Sequence, residues 1–188
     1  MDLETDQILL TGFEPFAEFM INSSWQAARL VTAKGKQNLI SECLPVDHHA
    51  SREKLFYLLQ SYRPKICLCT GLAVGEHFRL ELMARKPEQF ADLNGANLYR
   101  GQWPWEKVRQ AFQEEKLPIK FSEDAGQYVC ESTYWSLLDF QDRHNFPTRT
   151  AFLHVPPLSE KWTTEKMAKG MQVMLESLTK YITDDAAG

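Results

Sequence analysis

The chain alternates short apolar segments with segments of helical periodicity, and this alternation constrains its fold more than any other feature. Apolar runs bounded by Gly, Pro or Asn predict six strands. They cover residues 7–11, 38–44, 65–70, 78–83, 119–122 and 148–155. Strands separated by helices favour an α/β fold, a three-layer α/β/α arrangement with a mostly parallel central sheet. We expect a single domain over residues 1–188.

Helices are predicted between these strands. Asn22 or Ser23 caps the first, which runs to about Lys34 before Gly35, and Pro64 closes the second. Further helices are predicted over 105–116 and 127–142. The last helix carries a core-facing stripe of Met167, Met171, Met174, Leu178 and Ile182. Residues 84–104 lack periodicity and are rich in Asn, Gly and Pro, which predicts a long functional loop.

Composition excludes several classes of function. The net charge of −4 gives no electrostatic support for nucleic-acid binding. No apolar run approaches the ~20 residues that cross a bilayer, so no membrane partner is expected. The first six residues are acidic and lack the plan of a signal peptide. Four cysteines are expected to be buried and free in a cytoplasmic protein, and Cys67-x-Cys69 lacks the second ligand pair of a zinc site, so no metal is expected.

Cys130 is the strongest candidate for a reactive side chain. It follows a turn of small residues, Ala125 and Gly126, and precedes an aromatic, helix-like stretch. A thiol near a helix N-terminus is favoured as thiolate, because the helix dipole and unpaired N–H groups attract an anion. A thiolate is the species that attacks carbonyl groups. The pattern therefore predicts a cysteine nucleophile with a more accessible thiolate near neutral pH.

Two further side chains complete a possible catalytic set. His154 ends an apolar strand, where active sites of open α/β sheets gather, and is suited to act as a base. Taken alone, it is also compatible with a hydrogen-bonded structural histidine. Glu81 lies within an apolar strand and needs a partner or a cleft. It either orients His154 or is an edge-strand glutamate paired with Arg79 or Arg85.

An aromatic turn follows the first strand. Phe13 and Phe16 stand three residues apart in a loop that contains Gly12 and Pro15. Such a pair either walls a small apolar pocket or covers the core beneath the loop. Both interpretations are compatible with the sequence.

With these residues in place, the chain resembles the pyroglutamyl peptidase I, or pyrrolidone-carboxylate peptidase, family of cysteine peptidases. The matching stretches occur in the family's order and span nearly the whole chain. They are ILLTGFEPF (8–16), NSSW (22–25), LPV (44–46), GLAVG (71–75), ELMA (81–84), DLNG (92–95), SEDAGQYVC (122–130) and FLHVP (152–156).

The resemblance implies a function and a set of site residues. Cys130 falls on the nucleophile, His154 on the base and Glu81 on the orienting acid of a Cys–His–Glu triad. Phe13 and Phe16 fall on the aromatic wall around the pyroglutamyl ring. The expected reaction releases N-terminal pyroglutamate from peptides in the cytoplasm, without a cofactor, in a homo-oligomer that is a tetramer or a dimer. Three more residues in the matching stretches are expected to bind substrate: Leu72, Tyr128 and Val129.

The chain departs from the family's pattern near these residues. Glu76 stands where the family often has Arg, and the stretch from there to Glu81 is one residue short. Lys86 and Glu131 each stand where Asn is usual. The Glu131 charge would oppose thiolate formation at Cys130 if it pointed inward. The segment from residue 95 to 117 is shorter than in the family, which leaves catalytic efficiency, preferred peptides and oligomeric state open.

Three functions therefore compete. The first is an active pyroglutamyl peptidase. The second is a binder of pyroglutamyl peptides with weak or no turnover, because Glu131 and the short segment disable the site. The third is a thiol amidase that uses the same three residues on another class of substrate.

Overall fold

The computed structural model of the protein describes residues 7–34, 38–102 and 104–185. These residues form eight strands and five α-helices. The strands are β1 (Ile8–Phe13), β2 (Leu39–Leu44), β3 (Ile66–Leu72), β4 (Phe78–Glu81), β5 (Met83–Arg85), β6 (Leu98–Arg100), β7 (Ile119–Ser122) and β8 (Arg149–Val155). The helices are α1 (Ser23–Lys34), α2 (His48–Tyr62), α3 (Trp105–Glu114), α4 (Val129–Arg143) and α5 (Thr164–Asp185).

Six strands form the central sheet in the order β2-β1-β3-β8-β4-β7. The pairs among β2, β1, β3 and β8 are parallel, as is the pair of β4 with β7. The β4–β8 pair is antiparallel, so two strands run against the other four. The predicted α/β/α fold with a mostly parallel sheet is confirmed. Glu81 does not lie on an edge strand, because β4 is paired on both sides.

Two apolar cores lie on opposite faces of the sheet. One packs α1, α3 and α5 against strand residues such as Leu10, Leu68 and Leu153. The other packs α2 and α4 against the alternate residues, among them Leu9 and Phe152. Because side chains alternate along a strand, β1, β2, β3 and β8 contribute to both cores, whereas the apolar residues of β4 and β7 lie in the first core alone. The cores therefore fix which side of the sheet each polar side chain faces.

Local signals account for the helix ends. Asn22 accepts a hydrogen bond from the N–H of Ser24, so the predicted cap of α1 is confirmed. The side chain of Asp47 caps α2, and Arg63 adopts the left-handed conformation immediately before Pro64. Four residues of the predicted α5 stripe are buried: Met167, Met171, Met174 and Leu178. Gly35 and the side chain of Ile182 lie outside the described residues.

Two local predictions are wrong. The predicted strand 78–83 is divided into β4 and β5, and the predicted loop 84–104 contains β6, which pairs antiparallel with β5. Strands of three residues are too short to produce a clear alternating pattern in the sequence.

The cysteines carry no disulfide, but Cys43 is half buried rather than buried. None of the helices described combines the length and apolar character that crossing a bilayer requires.

Gly170 brings α5 close to the strand that carries Glu81. A β-carbon at this position would lie 2.2 Å from the Phe78 ring. That ring cannot swing away, because it packs edge-on against Phe112 and Trp162 at 5.4 and 5.2 Å between centroids.

We expect Gly170→Ala to lower the free energy of unfolding by about 1–3 kcal/mol, although alanine favours helices more than glycine does. Urea unfolding measures the change. Phe78→Leu serves as the partner variant: the double variant should lose less stability than the two single losses combined. Strict additivity would contradict the contact.

Candidate active site

A polar turn positions the N-terminus of α4. Within it, Ser122 donates to the carbonyl of Asp124 and accepts from the Asp124 N–H, at 2.9 and 3.1 Å. Asp124 in turn accepts a hydrogen bond from the N–H of Gly126 at 2.9 Å. The helix begins at Val129, two residues later than predicted, and Cys130 is its second residue. Tyr128 supplies no side-chain cap, so the first-turn N–H groups lack that partner.

The thiol of Cys130 lies directly against Gly71 of β3. A β-carbon on Gly71 would be 2.7 Å from Cys130 Sγ and 3.3 Å from Cδ2 of His154. Gly71 is also the register partner of His154 in the β3–β8 pair. The missing side chain of Gly71 thus leaves the space that the sulfur occupies beside the imidazole. Among the described residues, Sγ makes no hydrogen bond to His154.

His154 and Glu81 form a buried hydrogen-bonded pair. Nδ1 of His154 lies 2.7 Å from Oε1 of Glu81, and the two residues are 2% and 0% exposed. A carboxylate accepts, so Nδ1 carries the proton and Nε2 is left with its lone pair free. Oε2 of Glu81 is buried without a hydrogen-bond partner.

Arg79 also reaches this pair, a contact that the sequence indicated only as a structural alternative for Glu81. Its Nε donates to the same Oε1 of Glu81 at 2.6 Å. Its Nη2 lies 3.3 Å from Nδ1 of His154. The available signal was the spacing of two residues between Arg79 and Glu81, which places both side chains on one face of β4.

Burial dominates the electrostatics of the site. It raises the pKa of the Cys130 thiol to about 12, and the Glu81 charge adds to the increase. The prediction of a more accessible thiolate near neutral pH is therefore wrong, because desolvation outweighs the helix N-terminus. Burial also lowers the pKa of His154, against the opposing influence of Glu81. The raised pKa of the thiol and the lowered pKa of the imidazole both favour a neutral thiol beside a neutral imidazole.

The expected substrate-binding residues differ in exposure. Phe13 and Val129 are buried and belong to the same apolar cluster as Cys130. Leu72 is buried next to Gly71, whereas Phe16 is half buried and packs against Phe19. Burial of Phe13 fits its alternative role as a cover of the core.

A cavity of about 860 Å³ opens beside the start of α4. It lies between residues 85–89 and the turn that precedes Val129, and the exposed ring of Tyr128 lines it. Arg85, Lys86, Glu88, Asp124 and Glu131 give this cavity a charged lining. Tyr128 is therefore placed at a cavity wall, whereas Phe13, Phe16, Leu72 and Val129 are not part of its lining.

Two of the residues that depart from the family's pattern form hydrogen bonds at the β5–β6 hairpin, and the third lies in an ion pair on the surface. Glu131 is buried, and its Oε1 accepts a hydrogen bond from the backbone N–H of Arg85 in β5. Lys86 donates to the carbonyl of Leu93. Glu76 pairs with Lys161 at 2.7 Å on the surface. The Glu131 carboxylate is thus directed to β5 and is not among the charges that shift the pKa of Cys130.

The fold agrees with comparisons to known proteins. The sequence model of the family described as "Pyroglutamyl peptidase" matches residues 6–88 and 83–183. The chain belongs to the pyroglutamyl peptidase family, and it is accordingly a hydrolase.

Similar proteins come from several bacteria. A pyrrolidone-carboxylate peptidase of Bacillus velezensis is 29% identical, and the alignment covers 94% of this chain and 88% of the relative. One from Brachyspira hyodysenteriae is also 29% identical, with coverage of 94% and 90%.

Solved structures show the same fold. Pyroglutamyl peptidase I of Bacillus amyloliquefaciens is 25% identical and superimposes with a TM-score of 0.78, covering 89% of this chain and 94% of the other. The pyrrolidone carboxyl peptidase of Thermococcus litoralis gives a TM-score of 0.83 at 21% identity, with 96% of each chain covered.

Glu131 provides a test of how the hairpin is attached to α4. Its pKa is raised, first by burial, so the folded state holds a proton more tightly than the unfolded state does. This preference stabilises the fold at low pH and is lost as pH rises from the ordinary value of 4.5 through the raised one. Glu131→Gln keeps an acceptor for the Arg85 N–H and should remove this pH dependence.

Urea unfolding across pH 4.5 to 8 measures the effect. Glu131→Ala should lose about 1–3 kcal/mol of stability, because the N–H of Arg85 loses its acceptor. Glu123→Gln, at an exposed carboxylate, is the matched control and should retain the wild-type pH dependence. A glutamine variant at position 131 that also retains it would contradict this assignment.

Proposed function

We propose that this protein releases N-terminal pyroglutamate from peptides, with Cys130 as nucleophile, His154 as general base and Glu81 as the group that orients the imidazole. One observation carries the proposal: Cys130 Sγ lies against Gly71, the register partner of a buried His154 whose Nδ1 is bonded to Glu81. A nucleophile, a base and an orienting acid in this order are the parts that acyl transfer requires.

The pKa directions support a reaction that starts from the neutral pair. Cys130 attacks the carbonyl carbon of the first peptide bond while its proton passes to Nε2 of His154. The imidazolium returns that proton to the leaving amine as the C–N bond breaks, which leaves a thioester on Cys130. Water activated by His154 then hydrolyses the thioester and restores the thiol. Catalytic hydrogen bonds in unliganded enzymes often close only on binding, in keeping with the absent Sγ–His154 bond.

The start of α4 supports stabilisation of the tetrahedral intermediate. Its first turn has no side-chain cap from Tyr128, and the backbone N–H of Cys130 lies beside its own thiol. Backbone donors held in place in this way stabilise a developing oxyanion without reorganisation.

Selectivity for pyroglutamate follows from the apolar surroundings of the thiol. Phe13 and Val129 belong to the apolar cluster that contains Cys130, and in our proposal Leu72 and Phe16 extend this wall. A neutral lactam ring loses little on entering such a pocket, whereas a charged amino terminus would lose its hydration. The rest of the peptide would occupy the charged cavity lined by Tyr128.

The second candidate is a binder of pyroglutamyl peptides with little or no turnover. It is favoured by the raised pKa of Cys130 and by the missing hydrogen bond from Sγ to His154. A thiol amidase acting on other acyl groups stays a prediction, as do the cytoplasmic location and the homo-oligomer. A panel of acyl amides separates the amidase from the peptidase.

Release of a fluorophore from a pyroglutamyl amide tests the leading proposal. Cys130→Ala and His154→Ala should each lower kcat/KM by at least about 10³-fold, because the two groups act as one unit. Gly71→Ala should also abolish most turnover, since its β-carbon would displace the sulfur. Lys169→Gln, at an exposed residue of α5 that pairs with Glu115 on the surface, is a control that should retain kcat/KM.

If the wild type releases no more fluorophore than Cys130→Ala does, the proposal of a peptidase is refuted. Calorimetry with a pyroglutamyl dipeptide then identifies the binder, which would show saturable binding without cleavage.

The pH dependence gives an independent check on His154. The base must be neutral, so kcat/KM should fall as pH decreases through the pKa of His154, which lies below its ordinary value of 6.5. Rates measured from pH 4.5 to 8, with circular dichroism at each pH to exclude unfolding, locate the midpoint. A midpoint at or above 6.5 in folded protein would contradict the assignment.

A further inference from the structure

We propose that Arg79 is a positioning residue of this site, which holds the Glu81–His154 pair in its reactive geometry and keeps the Cys130 thiol reactive. The inference deepens the proposed function, because it rests on the same three residues as reacting groups. Arg79 stands two residues before Glu81 and is not part of the sequence stretches that carry the family resemblance.

The strand register places Arg79 opposite the proposed base. In the antiparallel β4–β8 pair, Arg79 is the direct partner of His154, and Leu80 is the partner of Leu153. Direct partners in such a pair have β-carbons about 4.5–5.5 Å apart on one face of the sheet. Phe78 and Leu80 face the α5 side, so Arg79 and Glu81 both face α4 and the thiol.

The hydrogen bonds give Arg79 a defined task. One carboxylate oxygen, Oε1 of Glu81, accepts from both Arg79 Nε and His154 Nδ1, at 2.6 and 2.7 Å. The guanidinium can only donate, and Nδ1 already donates to Glu81, so the 3.3 Å approach of Nη2 to Nδ1 is a contact between two donors. This contact disfavours a second positive charge on the imidazole. The same guanidinium compensates the buried carboxylate and fixes the oxygen that orients the ring.

The charges around the site act consistently with this task. For the thiol, burial, Glu81 and Cys69 raise the pKa, whereas Arg79 and the backbone N–H of Cys130 lower it. For the imidazole, burial and Arg79 lower the pKa, while Glu81 raises it. Glu131, the neighbouring acid on α4, is bonded to β5. Among the charged groups that shift these two pKa values, Arg79 is the one that lowers both.

A purely structural ion pair is the alternative, and the two roles predict different measurements. An ion pair that only stabilises β4 would change the free energy of unfolding and leave the thiol and the imidazole unaffected. A positioning residue changes the reactivity of Cys130 and the pH dependence of turnover in folded protein. The side chain of Arg79 is 29% exposed, so water can fill the space left when a shorter side chain replaces it.

The experiment measures alkylation of Cys130 by iodoacetamide at pH 8, quantified for that residue by mass spectrometry, together with the pH profile of pyroglutamyl amide hydrolysis. In Arg79→Gln we expect alkylation to slow about three- to tenfold, because the variant loses a charge that lowers the thiol pKa. We also expect the acid limb of kcat/KM to move to higher pH, and kcat to fall while KM stays unchanged.

Two further variants keep the test decisive. Arg79→Lys retains a charge but not the fork that contacts Glu81 and His154 together, so alkylation should stay near the wild-type rate while kcat falls. Arg52→Gln removes a guanidinium from another buried carboxylate, Asp139, 3.5 Å away, and should change neither measurement. If the glutamine variant does not fold, a reduced kcat with unchanged alkylation in Arg79→Lys still supports the inference.

Identical alkylation rates and acid limbs in the wild type and Arg79→Gln would overturn the inference while leaving the peptidase intact. A wild type that hydrolyses no pyroglutamyl amide, but whose Cys130 alkylation depends on Arg79, would instead refute the proposed function alone.

Discussion

The Glu81 carboxylate has no contact with solvent, and the arrangement of the site depends on how its charge is compensated. One of its oxygens accepts from both His154 and Arg79, while the other has no hydrogen-bond partner. A buried charge is tolerated only when partners of this kind replace its hydration. These partners fix the tautomer of His154, and the tautomer leaves Nε2 free toward the side of the sheet on which Cys130 lies.

A second constraint links the thiol to the β5–β6 hairpin. Glu131 bonds to β5, and Trp135 donates to the carbonyl of Ala96 at 2.9 Å. Tyr99 of β6 donates to Asp139 at 3.2 Å. Helix α4 therefore carries both the thiol and the supports of the segment that walls the neighbouring cavity. Glu131 and Lys86, two of the residues that depart from the family's pattern, therefore have structural roles at this hairpin.

Sequence patterns predicted the layers, the succession of the main strands and helices along the chain, and most of their ends. These features depend on apolar periodicity and capping residues, which are local signals. The patterns did not predict that β4 and β7 run against the other strands, since an alternating pattern reads the same in both directions. The sequence also did not predict the raised pKa of Cys130. Local patterns indicate the start of the helix, but they do not indicate how deeply the thiol is buried. Local patterns identified Cys130, His154 and Glu81 as candidates, the ordered resemblance joined them in a triad, and their catalytic roles stay predictions. For Arg79, the sequence indicated only a pairing with Glu81, two residues away, because its other partner, His154, is 75 residues away.

The antiparallel register between β4 and β8 has a consequence for how this chain tolerates changes in length. Pairing with β7 and β8 fixes Glu81 and Arg79 in place, whatever the length of the turn that leads from β3 into β4. A residue lost or gained in that turn is absorbed before Phe78, whereas one lost between Arg79 and Glu81 would send a carboxylate to the opposite core. Evolution can therefore remodel the turn freely, while the two-residue spacing inside β4 is fixed by the sheet.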